Sequence, residues 1–107
     1  MTMNESPAKL TFCSGVGTVT GANFLLEVGG KRFLIDCGMI QGEEFADKAN
    51  REPFLYDPAS IDALLVTHAH LDHVGRIPKL IKEGFKGVIY STPQTRALAE
   101  LILNDAA

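Results

Sequence analysis

Cysteine is scarce: Cys13 and Cys37 are too few for a disulfide framework, and with no Cys-x-x-Cys pair they do not suggest a structural zinc knuckle. Buried free thiols are the plain expectation for both. No apolar run approaches the ~20 residues that a membrane span requires, and the opening Met1–Pro7 lacks the charged-then-apolar pattern of a secretion signal. His-Glu-x-x-His is absent, which removes a helical metalloprotease. Positive charge is not in excess either. The formal net charge of −3 argues against a general polyanion-binding surface, while leaving a local groove open. Repeats, low-complexity tracts and linkers are also missing, so residues 1–107 are expected to form a single unit, with residues 1–8 disordered. The 107 residues are 46% hydrophobic with a mean hydropathy of +0.09, enough for one small globular domain with a real core. A cytoplasmic protein with no membrane contact is the expectation.

The pattern along the chain predicts mixed α and β structure. Residues 9–14 read as a short strand, and the glycines at 15, 17 and 21 follow. Their spacing invites a dinucleotide-binding loop, but the next segment, Ala22 to Val28, alternates Phe24, Leu26 and Val28 as a strand does. A nucleotide-binding turn needs a helix there, so tight turns are the better reading. Gly29-Gly30 signals a hairpin into a second strand from Lys31 to Cys37. Residues 38–60 are irregular, with a short helix expected from Glu43 to Asn50. A buried strand is expected from Ile61 to Thr67, then a helix from Val74 to Glu83 whose first turn Pro78 restricts. Gly87 to Tyr90 reads as a strand. Thr92-Pro93 then opens a helix with Leu98, Leu101 and Ile102 on one side.

All three histidines fall within six positions, in Thr67-His68-Ala69-His70-Leu71-Asp72-His73. On a helix His68 and His70 would point roughly 200° apart, whereas on an extended strand residues i and i+2 share a side about 6.6 Å apart. The first pair therefore belongs to a strand end. Asp72 and His73 come after a turn, where they could reach a second ion; two-metal hydrolases hold their ions about 3.5–4 Å apart. Imidazole nitrogen and carboxylate oxygen suit zinc, with manganese or iron as alternatives. Ordinary loop histidines beside a helix cap are the bland alternative, and the clustering speaks against it. Asp36, where the chain must leave the sheet, could be a turn carboxylate bonding nearby N–H groups, or could support a metal-bound imidazole. Arg76, Lys79 and Lys82 would share a helical stripe. A solvated face is the main expectation for it, and phosphate guidance the sharper one.

His68-Ala-His70-Leu-Asp72-His73 resembles the signature of the metallo-β-lactamase superfamily. The flanks Asp36-Cys-Gly-Met-Ile-Gln-Gly42, Val74-Gly-Arg-Ile-Pro78 and Ile89-Tyr-Ser-Thr-Pro-Gln-Thr95 are similar to the amino-terminal part of its β-CASP branch, whose members process RNA or, less often, DNA. The resemblance implies an α+β fold, part of a four-layer αββα sandwich and roughly the first half of the metal-binding domain. It implies one zinc on His68 and His70, a second on Asp72 and His73, and a supporting role for Asp36. A hydroxide held between the ions would attack phosphorus, with Asp72 accepting a proton or orienting that water. Family members supply a further histidine, a bridging aspartate and another histidine from later sequence, and their nucleic-acid-gripping insertion lies later still.

The expected function is thus an amino-terminal piece of a zinc-dependent ribonuclease acting on RNA, or on single-stranded DNA. Its partner would be the remaining portion of the same protein or another subunit, and the isolated chain would have little or no activity. Two alternatives stand beside it. One is a superfamily hydrolase of a small thioester, lactam or phosphodiester; the other is a non-catalytic module that pairs its open sheet edge with a partner.

Overall fold

The computed structural model describes residues 8–14, 21–40 and 46–106. The expected disorder at residues 1–8 lies, but for Ala8, outside the described residues, as do Gly15, Gly17 and the start of the expected helix at 43–45.

Among the described residues, five strands form one sheet in the order β1 (Lys9–Ser14), β2 (Asn23–Val28), β3 (Lys31–Ile35), β4 (Ala63–Leu65) and β5 (Val88–Tyr90). The first three are antiparallel neighbours, and β4 and β5 add in parallel. Gly29 and Gly30 close the β2–β3 hairpin with φ of 57° and 79°, the pair of positive values that a two-residue turn matching strand twist requires. Parallel pairing needs crossovers. The β3–β4 crossover carries α1 (Ala46–Arg51) and a single 3-10 turn at Pro58–Ser60, capped by Asp57, which accepts from the Ala59 N–H at 3.0 Å. The β4–β5 crossover carries α2 (Leu71–Val74) and α3 (Ile77–Lys82). The last element, α4 (Pro93–Ala106), starts as expected, with Thr92 Oγ1 accepting from the Thr95 N–H at 3.2 Å.

Register explains the core. Leu25, Leu34 and Leu64 are cross-strand partners on β2, β3 and β4, and all are buried. Val74, Ile77, Leu80 and Phe85 join them, with Ala99 and Leu103 of α4 packed alongside. Each fully buried leucine here stabilises the fold by roughly 1.5–3 kcal/mol. The residues of opposite parity form a second, largely apolar face. Leu10, Phe12, Leu65, Val88 and Tyr90 lie on it and are exposed, Phe12 and Tyr90 by 58% and 57%.

The helix expected from Val74 to Glu83 is instead two short helices, with Gly75 and Arg76 between them and Pro78 in the first turn of α3, where its missing N–H costs nothing. The β4 strand is shorter than Ile61–Thr67, although Asp62 N to Arg32 O (2.8 Å) and Val66 N to Tyr90 O (2.9 Å) carry its bonding one residue further each way. His68 and His70 consequently lie on the connection after the strand, not within its end. On α4, Leu98 and Leu101 face outward, because Ala99 and Leu103 already fill the inward side.

Candidate metal centre

The segment after β3 is zipped to α2 by its backbone. Cys37 N bonds His73 O at 2.8 Å, Met39 N bonds Leu71 O at 2.8 Å, and Arg76 N bonds Cys37 O at 2.9 Å. Ala22 N reaches Asp72 O and Gly38 N reaches Ala22 O, both at 2.9 Å. The approach is possible only because residue 38 has no side chain: a Cβ there would lie 1.7 Å from the Asp72 carbonyl oxygen. Main-chain contacts therefore fix Asp72 and His73 relative to Asp36.

Asp36 is 2% exposed and holds φ at +60°, in the left-handed region that Asp tolerates better than most residues. Every polar atom on it is bonded. Its N–H donates to Leu65 O at 2.8 Å, and its carbonyl accepts from Asn23 Nδ2 at 2.9 Å. Oδ1 accepts from the Thr67 N–H at 2.7 Å, while Oδ2 meets Thr67 Oγ1 at 2.5 Å and His73 Nδ1 at 2.8 Å. Asn23 Oδ1 in turn accepts from the Tyr56 hydroxyl at 2.9 Å, and burial drives the Tyr56 pKa upward, keeping that proton in place.

Of the four candidate ligands, the structure brings Asp72, His73 and His68 together. His73 Nε2 lies 3.6 Å from Asp72 Oδ2, and the His68 and His73 ring centroids are 4.7 Å apart. Two donors bound to one tetrahedral ion at ~2.0–2.2 Å stand about 3.3–3.6 Å apart, so the Asp72–His73 pair fits a shared ion. The Asp36 carboxylate on the far ring nitrogen of His73 is the arrangement that fixes an imidazole for metal binding. His70, at the start of α2, is exposed and makes no side-chain cap bond. Among the described residues no three His, Cys, Asp or Glu side chains already converge as a complete ion cage. The donor types and the Asp72–His73 spacing fit a divalent metal; the donor number amounts to a partial site.

Sequence reasoning overlooked several residues that build this place. Thr67 bonds Asp36 through both backbone and hydroxyl, and its only signal was its position directly before the histidine run. Asn23 and Tyr56 lie 13 and 33 residues from their partners, so nothing local marked them. Arg76 was expected on a solvated face; it is instead 8% exposed, donates from Nε to the Gly38 carbonyl, and lies 5.4 Å from the Phe54 ring. Lys79 likewise turns inward to the Glu52 carbonyl and over Phe54, 4.4 Å from its centroid. The two cations therefore tie Gly38, Glu52 and Phe54 to the segment that follows α2. Cys37 is buried, and burial pushes its thiol up to about 12, so it has no readily formed thiolate to offer an ion. Cys13 is only partly buried.

A parallel-edged sheet with helices on one face and a histidine–aspartate run at the end of its fourth strand defines a class. Residues 16–107 match the family described as Metallo-beta-lactamase superfamily, and the chain belongs to it. Members of that superfamily bind metal ions. Within it, the chain is 56% identical over 88 residues to Ribonuclease TTHA0252 of Thermus thermophilus, covering 82% of this chain and 20% of that protein. It is 40% identical over 109 residues to Transcription termination factor FttA of Methanosarcina mazei, covering 97% of this chain and 16% of that protein. These relatives are β-CASP ribonucleases, the branch that the flanking segments resemble. The chain thus spans a fifth or less of the length of these relatives. Among solved structures, rubredoxin oxygen:oxidoreductase from Desulfovibrio gigas superposes with a TM-score of 0.58 at 25% identity, over 87% of this chain and 22% of that one.

Proposed function

We propose that this chain supplies part of the two-zinc centre of a β-CASP ribonuclease that hydrolyses RNA phosphodiester bonds. The single observation that carries the metal reading is His73, held through Nδ1 by the buried Asp36 carboxylate with Nε2 beside Asp72. The RNA substrate is supported by the ribonuclease relative at 56% identity. In this reading His68 and His70 hold one ion, Asp72 and His73 the other, and Asp36 acts through His73. Bound zinc would supply Lewis acidity, lowering the pKa of water and offsetting charge that builds on the phosphoryl oxygens. The chain's own contribution is to orient: Asp36 fixes the His73 ring, the 37–39 zipper fixes the turn of α2, and the Asp72 carboxylate orients water or receives its proton.

The isolated chain is proposed to have little or no turnover. It presents only part of a ligand set, and positions with two protein ligands hold metal weakly. Its exposed apolar sheet face and its small share of its relatives' length support a role inside a larger protein. A cytoplasmic setting, where RNA is at hand, belongs to the same proposal; among the described residues no helix is long and apolar enough to cross a membrane.

The test is cleavage of end-labelled RNA by a full-length protein carrying this sequence, with single-stranded DNA and a small thioester or phosphodiester assayed in parallel. The expected result is RNA cleavage that stops under chelator, returns with zinc, and falls by about 10²–10⁴-fold in Asp72→Asn. Chelator-resistant cleavage would refute the metal reading. Turnover of the small substrates alone would move the assignment to a small-molecule hydrolase.

A further inference from the structure

Thr67 Oγ1 stands at the centre of the candidate site. It lies 2.5 Å from Asp36 Oδ2, 3.0 Å from His68 Nδ1 and 3.5 Å from His73 Nδ1. A threonine hydroxyl carries one proton and two acceptor lone pairs. The contact to Asp36 has the length of a hydroxyl donating to a carboxylate, so that proton is committed there. Toward His68 the same oxygen can only accept. A contact of 3.0 Å is an ordinary N–H···O bond, which places the His68 proton on Nδ1. His73 donates its own Nδ1 proton directly to Asp36 Oδ2 at 2.8 Å.

We propose that Thr67 is a positioning residue which relays the Asp36 carboxylate to His68, so that one buried acid sets the tautomer of two imidazoles and leaves both Nε2 atoms as free donors. The inference deepens the metal reading above and rests on it only for the purpose that the free donors serve. The proton assignment itself stands on the metal-free geometry. The arrangement also explains why this hydroxyl is shared, since the carboxylate's two oxygens are otherwise taken up by the Thr67 N–H and by His73. Without the relay, nothing in the described hydrogen bonding would hold His68 in the less common Nδ1–H form.

Long-range proton–nitrogen correlation NMR on the ¹⁵N-labelled, metal-free 107-residue chain reads which ring nitrogen carries the proton. His68 and His73 are expected in the Nδ1–H form, and His70, which has no such oxygen partner among the described residues, in the usual Nε2–H form. Thr67→Val should move His68 alone to Nε2–H, and Thr67→Ser should restore it. An Nε2–H His68 in the unsubstituted chain would overturn the proposal. So would an unchanged His68 in Thr67→Val. The first comparison needs no substitution, so it decides even if Thr67→Val fails to fold. In a full-length protein, competition titration should show zinc bound roughly 10- to 100-fold more weakly by Thr67→Val and normally by Thr67→Ser. The expected tautomers without any zinc binding would sink the metal reading while leaving the relay intact.

Discussion

Gly38→Ala isolates the contact that sets the site's geometry. The added Cβ would lie 1.7 Å from the Asp72 carbonyl oxygen, 2.3 Å from its carbon and 2.9 Å from Ala22 N, all of them backbone atoms that cannot rotate away. Restoring even a 3 Å contact means opening the zipper by more than ~1 Å, which takes hydrogen bonds of 2.8–2.9 Å out of bonding range. Five bonds span that seam: Ala22 N to Asp72 O, Cys37 N to His73 O, Gly38 N to Ala22 O, Met39 N to Leu71 O, and Arg76 N to Cys37 O. At a net ~0.5–1.5 kcal/mol each, their loss costs about 2.5–7.5 kcal/mol, a large part of a small domain's stability. Gly29→Ala is the control. A Cβ at Gly29 meets nothing within 4 Å, but its φ of +57° is strained for alanine, at a cost of roughly 1–2 kcal/mol. Urea unfolding of the two variants against the unsubstituted chain should rank Gly38→Ala well below Gly29→Ala. If the two lost equal stability, the close approach would not be what holds α2 against the segment after β3.

Four further outcomes follow from named contacts. Cys37 should resist alkylation in the folded chain at pH 8 while the half-buried Cys13 reacts first, as read by mass spectrometry of the labelled peptides. Burial raises the Cys37 thiol from 9.0 to about 12 and moves Tyr56 the same way, so the unfolded chain ionises first. Stability that is whole below pH 9 should then fall as pH climbs toward 12, by up to ~1.4 kcal/mol per unit for Cys37, and Cys37→Ala should flatten the slope of urea midpoints taken at pH 8, 10 and 11. Arg76→Met should cost about 1.5–3 kcal/mol through the orphaned Gly38 carbonyl, while exposed Lys82→Ala stays within ~0.5 kcal/mol; equal effects would return Arg76 to a solvated face. Light scattering should show concentration-dependent association of the isolated chain, reduced by Phe12→Lys on the apolar sheet face; association indifferent to that change would place the contact elsewhere.

The sequence carried the sheet because its signals are local. Gly29-Gly30, the alternation of Phe24, Leu26 and Val28, and the Thr92-Pro93 start each act within a few residues, and the elements formed there, although β3 stops at Ile35 and not at the expected Cys37 because Asp36 turns to positive φ. The histidine run was legible for the same reason. What stayed hidden is tertiary. Arg76, on a stripe that suited a solvated helix, turns inward because the helix breaks at Arg76 itself, where the N–H goes to Cys37 O and φ and ψ are −100° and 10°, and because Gly38 offers a carbonyl and Phe54 an aromatic face. Leu98 and Leu101 look like a packing face until Ala99 and Leu103 prove to be the pair that packs against the core. Thr67, Asn23 and Tyr56 gain their roles only from partners distant in the chain or brought together by folding.

Asp36 shows how far this site depends on the surrounding fold. A non-glycine residue at φ +60° carries a cost of about 1–2 kcal/mol, and a turn that needed only the backbone shape would be better served by glycine. The side chain supplies what glycine lacks: acceptors for Thr67 and His73 at the one point where β3, β4 and α2 meet. Its carbonyl ties that point through Asn23 to Tyr56, and so to the hydrophobic core. A carboxylate held from so many directions cannot tilt to follow a ring that moves, so His73 must come to it. The strain at this residue is therefore the local cost of a fixed imidazole, and the rigidity belongs to the sheet and the zipper before it belongs to any bound ion.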